Sequence, residues 1–69
     1  MPEPAYERVA NDLRKKIQTG VYPRGSQLPS RAKLRDEHKV SLFVIDRAMF
    51  ILRSEGRAET VPGVGVFVK

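Results

Sequence analysis

The hydrophobic pattern changes period at Gly56, and that change limits the folds open to this chain more than any other feature. Before it, apolar residues recur every three or four positions. From Ala5 to Thr19 they fall at Tyr6, Val9, Ala10, Leu13 and Ile17, and along the last helical stretch at Ile45, Ala48, Met49 and Leu52. That spacing puts them on one side of a helix. After Gly56 the favoured residues are β-formers: Glu59-Thr60-Val61 and Val66-Phe67-Val68 flank Pro62-Gly63-Val64-Gly65, which reads as a hairpin with a glycine-bearing loop.

Punctuation between the stripes divides the helical part into three. Pro4 suits a first turn and Gly20 a stop. Val21 to Gln27, with Pro23 and Gly25, is a turn that leads to Leu28-Pro29-Ser30, where Ser30 caps a short second helix anchored by Leu34. Lys33 stands where the Glu of a capping box would be. Lys39-Val40-Ser41 breaks the chain again, and Ser41 caps a third helix that ends at Gly56. Helices are therefore expected at about 5–19, 31–38 and 42–54, with a hairpin at about 58–68. A third short strand near Val21 to Leu28 would extend it. The expected fold class is mainly α with a small β-hairpin (α+β), in one domain spanning 1–69.

At 69 residues, such a domain buries only about 60% of its unfolded surface, which leaves no room for a deep substrate cleft. The lack of cysteine removes disulfides and thiolate metal sites and fits a cytoplasmic setting. The start, Met1-Pro2-Glu3-Pro4, lacks the basic and apolar regions of a secretion signal. No apolar run exceeds five residues, far too short for a membrane span, so no membrane partner is expected. His38 is the single histidine; without a second ligand or a grouped acidic pair it makes neither a metal site nor a catalytic base, and a semi-buried packing role fits it better. No catalytic constellation, metal site or cofactor is expected, and the chain does not read as an enzyme.

Thirteen Lys and Arg against eight Asp and Glu give a net charge of +5, which favours a polyanionic partner. Arg31, Lys33, Arg35 and Lys39 crowd the second helix. These charges fit either phosphate contact or a solvated basic face. Arg14, Lys15 and Lys16 end the first helix, where the helix dipole explains them better than nucleic acid does.

Taken in order, Tyr6, Val9-Ala10, Leu13, Ile17, Gly20, Gly25, Leu28-Pro29-Ser30, Leu34, Val40-Ser41, Ile45, Ala48, Leu52, Glu55-Gly56 and Gly63-Val64-Gly65-Val66-Phe67-Val68 resemble the N-terminal domain of the GntR family of bacterial transcriptional regulators. The resemblance implies a winged helix-turn-helix. The second and third helices would form the helix-turn-helix, the third would lie in the major groove, and the hairpin loop would reach an adjacent minor groove. It also implies double-stranded DNA as partner, a homodimer on a pseudo-palindromic operator, a repressor working at the nucleoid, and an effector ligand only where a C-terminal domain follows.

The residues expected to meet DNA are Ser30, Arg31, Lys33 and Arg35 on the second helix, Ser41, Leu42, Phe43 and Arg47 on the third, and Gly63, Val64 and Gly65 in the wing. Several depart from the family pattern. Polar residues are usual at positions 42 to 44 and an arginine at 46; here stand Leu42, Phe43, Val44 and Asp46. Leu42 and Phe43 then either touch thymine methyls or are partly buried against the second helix or a partner chain, and Asp46 accepts from a cytosine amino group or repels phosphate. The family has Glu at 31 and a DNA-contacting Arg at 32; here the pair is Arg31-Ala32, so Arg31 would serve from one residue earlier. Arg35, in place of a small residue, must snorkel outward. Lys39, in place of a turn glycine, implies a strained or altered turn. Phe50 and Ile51 replace polar residues and mark either an interface or, for Phe50, packing against the first helix or the wing.

Two other functions fit the same residues. One is a winged-helix protein-interaction module that docks through Leu42, Phe43, Phe50 and Ile51. The other is a small architectural DNA-binding factor in phage or plasmid excision, conjugation or replication.

Overall fold

The computed structural model describes residues 3–69 and resolves three helices and a hairpin: α1 (Ala5–Gln18), α2 (Arg31–His38), α3 (Leu42–Ser54), β1 (Ala58–Val61) and β2 (Gly65–Val68). Pro4 is the N-cap of α1, one residue before the first turn expected to hold it; its carbonyl accepts from the Glu7 and Arg8 amides. Both serine caps form as their positions require. The Lys33 amide donates to Ser30 Oγ at 3.2 Å and the Val44 amide to Ser41 Oγ at 3.3 Å, each satisfying a donor the helix cannot.

The helix ends differ in an instructive way. α3 closes with a full Schellman pattern: the Arg57 amide donates to the Leu52 carbonyl and the Gly56 amide to Arg53, with Gly56 at φ 75°. α2 closes on the same left-handed conformation, but the residue is Lys39, at φ 55° and ψ 49°. The turn between α2 and α3 is thus made with a left-handed lysine, the geometry that suits glycine, at a strain cost of about 1 kcal/mol.

β1 and β2 pair antiparallel, from Ala58 opposite Val68 to Val61 opposite Gly65. Pro62 and Gly63, the latter at φ 76°, occupy the centre of the turn closed by the Val64 amide and the Val61 carbonyl, the residues a type II turn requires. The third strand expected near Val21 to Leu28 is reduced to one bridge, Gln27 to Phe67. Backbone bonds from Leu28 to Val66 and from Val68 to Ser26 nevertheless stitch this segment to β2. The segment runs straight into Ser30, so the start of α2 is held beside the wing.

One core joins every element. Val9, Ala10 and Leu13 from α1, Leu28, Leu34 from α2, Ile45, Ala48, Met49 and Leu52 from α3, Ala58 and Val68 are all buried. Leu13, Leu34, Ile45 and Leu52 are sealed completely, each worth about 1.5–3 kcal/mol in apolar burial. No polar side chain is buried among the described residues. None of their helices is long and apolar enough to cross a membrane.

Candidate nucleic-acid interface

α3 turns one side to the core and leaves the other uncovered. Phe43, Asp46, Arg47, Phe50 and Arg53 share the open side and line one shallow depression. Phe43 is 76% exposed and Phe50 61%, about 10 Å apart along the axis at seven residues' separation. Phe43 is thus not buried against α2, and Phe50 does not pack on α1 or the wing. Leu42 is half-buried. Ile51 is half-buried against the core on the α1 side, near Ala10 and Arg14, so it does not continue the patch of Phe50.

The charges around this face are organised in pairs. The Arg31 guanidinium donates through Nε and Nη2 to the two carboxylate oxygens of Asp46, at 2.6 and 2.7 Å. These bonds hold the Asp46 carboxyl below its ordinary pKa and raise that of Arg31. Asp46 is therefore neither a bare repulsive charge nor an empty acceptor. Arg47 lies over the Tyr6 ring, 4.7 Å from its centroid, so α1 steadies it by a cation–π contact. Arg35 points outward and bonds Asp36. Lys33, Lys39 and Arg53 are exposed, with no carboxylate partner among the described residues.

Four other basic residues, Arg14, Lys16, His38 and Arg57, make structural contacts. Arg14 grips Glu55 through Nε and Nη2, at 2.9 and 2.8 Å, and Arg57 joins the same carboxylate, lowering the Glu55 pKa. Lys16 pairs with Asp12. His38 bridges α1 and α2: Nδ1 lies 2.9 Å from the Leu34 carbonyl and Nε2 2.9 Å from the Asp12 carboxylate. Each ring nitrogen thus faces a hydrogen-bond acceptor, one on each helix. Burial tends to raise the Asp12 pKa, but the bonds from His38 and Lys16 outweigh it and hold the carboxyl below its ordinary value.

The wing tip carries no charge, and Val64 stands 58% exposed. Gln27 supports it from beneath, donating from Nε2 to the Val64 carbonyl at 3.0 Å. A side chain at position 65 would collide with that amide, so Gly65 is required by the support as well as by its φ. Between the wing, the start of α2 and α3 lies a groove of about 290 Å³, with Leu28, Leu34, Met49 and Val66 on its walls and Ser30, Arg31 and Arg53 around it. Of the residues expected to meet DNA, Phe43 and Arg47 line the depression on α3, and Ser30, Arg31, Val64 and Gly65 line the groove; Lys33, Arg35, Ser41, Leu42 and Gly63 line neither.

Residues 5–68, nearly the whole chain, match the family profile described as bacterial regulatory proteins, gntR family. The chain belongs to the GntR family. Among curated GntR-like relatives, the Exu regulon transcriptional regulator of Escherichia coli (strain K12) is 37% identical over 67 residues, covering 97% of this chain and 26% of its own length. The Histidine utilization repressor of Klebsiella aerogenes is also 37% identical over 67 residues, covering 97% of this chain and 28% of its own. The chain therefore spans about a quarter of the length of these relatives. Among solved structures, AraR(DBD) in complex with operator ORR3 superposes with a TM-score of 0.96 at 28% identity, covering 100% of this chain and 83% of that one. The architecture is the winged helix-turn-helix of GntR DNA-binding domains.

Membership in GntR gives meaning to two departures that look unrelated in the sequence. The family pattern has Glu at 31 and Arg at 46; this chain has Arg31 and Asp46, bonded to each other. Two departures of opposite charge from the family pattern thus meet in one ion pair. Opposite departures of charge fifteen residues apart were the signal that could have revealed it. Tyr6 as the support of Arg47 and Gln27 as the support of the wing had no such signal, because each reads locally as an ordinary core or loop residue.

Proposed function

We propose that this chain is the DNA-binding domain of a transcriptional regulator and that it recognises a specific double-stranded sequence. The observation that carries the reading is the first half of α3. Its capped N-terminus presents Phe43 almost fully to solvent, beside Arg47 and within a face that also carries Arg53. An α-helix enters the major groove with its N-terminal residues against base edges. There Phe43 reads thymine methyls by apolar contact, Ser41 offers its hydroxyl, and Arg47 holds a phosphate. Lys33 and Arg31 contact the backbone from α2, and Gly63, Val64 and Gly65 approach the minor groove.

In the full-length regulator the domain works as one half of a homodimer on a two-fold related operator in the nucleoid. It represses transcription, and an effector enters only where a C-terminal domain follows. The repressor name of the Klebsiella aerogenes relative supports the sign of regulation. Selection from random duplex DNA, followed by titration of the winning site across a salt series, tests the reading. Sequence-selective binding that weakens steeply with salt is expected, and its absence at every salt concentration sinks it.

Exposure of both Phe43 and Phe50 favours a second reading, in which this face docks another protein. Arg47 and Arg53 within the same face weigh toward a polyanion instead. Sedimentation of the isolated domain separates the two: association abolished by Phe43→Ser with Phe50→Ser supports docking, and a monomer throughout removes it for self-association.

A further inference from the structure

A carboxylate in the middle of a nucleic-acid-binding face needs a reason, since on its own it repels the partner. Asp46 occupies that place, between Phe43, Arg47, Phe50 and Arg53. It sits half-exposed, at 50%, opposite an Arg31 side chain that is 59% exposed. As charges the two cancel, so what the pair adds must be geometric. Two parallel bonds fix the plane of the guanidinium as well as its position, which a single bond or a free side chain does not. The bonds use one hydrogen on Nε and one on Nη2, leaving both Nη1 hydrogens and one on Nη2 for another acceptor. The pair also stands beside the groove between wing and α3, next to Ser30, Arg53 and Val64.

We propose that Asp46 is a positioning residue for nucleic-acid recognition: it grips one edge of the Arg31 guanidinium and aims the other edge at an anionic or carbonyl-like oxygen of the duplex. The inference rests on the DNA-binding reading given above. Its ligand chemistry is a hydrogen-bond-accepting oxygen, supplied either by a backbone phosphate or by a guanine base edge. Asp46 remains ionised in this role because Arg31 bonding lowers its pKa.

The sign of one substitution decides the matter. A spectator carboxylate, when neutralised, leaves a more positive surface and tighter binding. A positioning carboxylate, when neutralised, frees Arg31 to wander and weakens it. Binding to a duplex selected by the unaltered protein is compared for Asp46→Asn, Arg31→Ala and the double variant, with thermal melts confirming that each is folded. Arg31→Ala is expected to weaken binding about tenfold or more, and Asp46→Asn by a smaller factor of the same sign, about three- to fivefold. In the Arg31→Ala background, Asp46→Asn no longer weakens binding. A loss from Arg31→Ala that is equal on all sequences, with a salt slope reduced by about one, identifies phosphate; a loss confined to duplexes with one guanine identifies the base edge. Asp46→Asn binding as tightly as the unaltered protein, or more tightly, overturns the positioning role while the DNA reading stands. If the unaltered protein binds no duplex at any salt, the DNA reading falls and this inference falls with it.

Discussion

The inner side of α3 carries Ile45, Ala48, Met49 and Leu52, none more than 4% exposed, while the outer side carries Phe43 at 76% and Phe50 at 61%. Both sides carry large apolar residues, and both belong to the same thirteen-residue helix. What separates them is cover: α1, α2 and the hairpin close over the inner stripe, while Phe43 and Phe50 stay exposed even though Arg31 and Tyr6 reach Asp46 and Arg47 beside them. Apolar character in this helix therefore has two uses. The inner residues set the fold, where a change of volume is felt at once. The outer residues leave the fold alone and are free to choose a partner.

The strongest way to break that contrast is to truncate the inner side. Leu52→Ala is expected to cost about 2–5 kcal/mol, a large part of the 5–15 kcal/mol or so that holds a small domain together. A urea titration should show a sharply lower midpoint with an unchanged slope, and a cost under about 1 kcal/mol would mean the inner face is loosely packed. Ser41→Ala acts where the two sides meet. Loss of the cap bond to the Val44 amide should cost about 1 kcal/mol, read as a fall of roughly 4–8 °C in the thermal midpoint.

Lys39→Gly works in the opposite direction. Its left-handed backbone suits glycine, so the substitution should add up to about 1 kcal/mol and raise the thermal midpoint by a few degrees. An unchanged midpoint would mean that the lysine side chain offsets its own strain. Phe43→Ser and Phe50→Ser should each alter stability by less than about 0.5 kcal/mol, as exposed positions do. A loss several times larger would show the outer face to be covered in solution and would erase the contrast.

The smallest effect is that of pH. No titratable group lies in the core among the described residues, so acid sensitivity must come from the rim, where the Asp12, Asp46 and Glu55 carboxyls all have lowered pKa values. A carboxyl lowered on folding adds stability above its unfolded pKa, which disappears as pH falls through the folded one. Melts should therefore be flat above about pH 5 and decline gently below about pH 4. Asp46→Asn should remove only its own small share, because exposed pairs contribute little.

Most of the fold was legible in the residue order. The stripes of Val9 and Leu13 and of Ile45 and Leu52, the caps Ser30 and Ser41, the stop at Gly56 and the Pro62-Gly63 turn all form where their spacing and chemistry put them. The third strand was only half legible: Gln27 does bridge to Phe67, but Pro23 and Gly25 keep the segment from becoming a regular strand. The candidate site was legible as a set of positions and not as a set of relationships. Phe50 and Ile51 read as one apolar patch because they are adjacent, yet a helix turns successive residues about 100° apart, and only Phe50 faces outward.

The sequence by itself determined whatever depends on neighbours within a turn or so: helix periods, caps, glycine stops and the hairpin. Those are set by local sterics and by backbone donors that must be satisfied close at hand. Tertiary structure alone decided which charges meet. Arg31 reaches Asp46 across fifteen residues, Gln27 reaches Val64 across thirty-seven, and Arg14 reaches Glu55 across forty-one. Such pairs exist only because burial of the shared core brings α1, α2, α3 and the wing together, and long side chains then find their partners on the surface that the core has built.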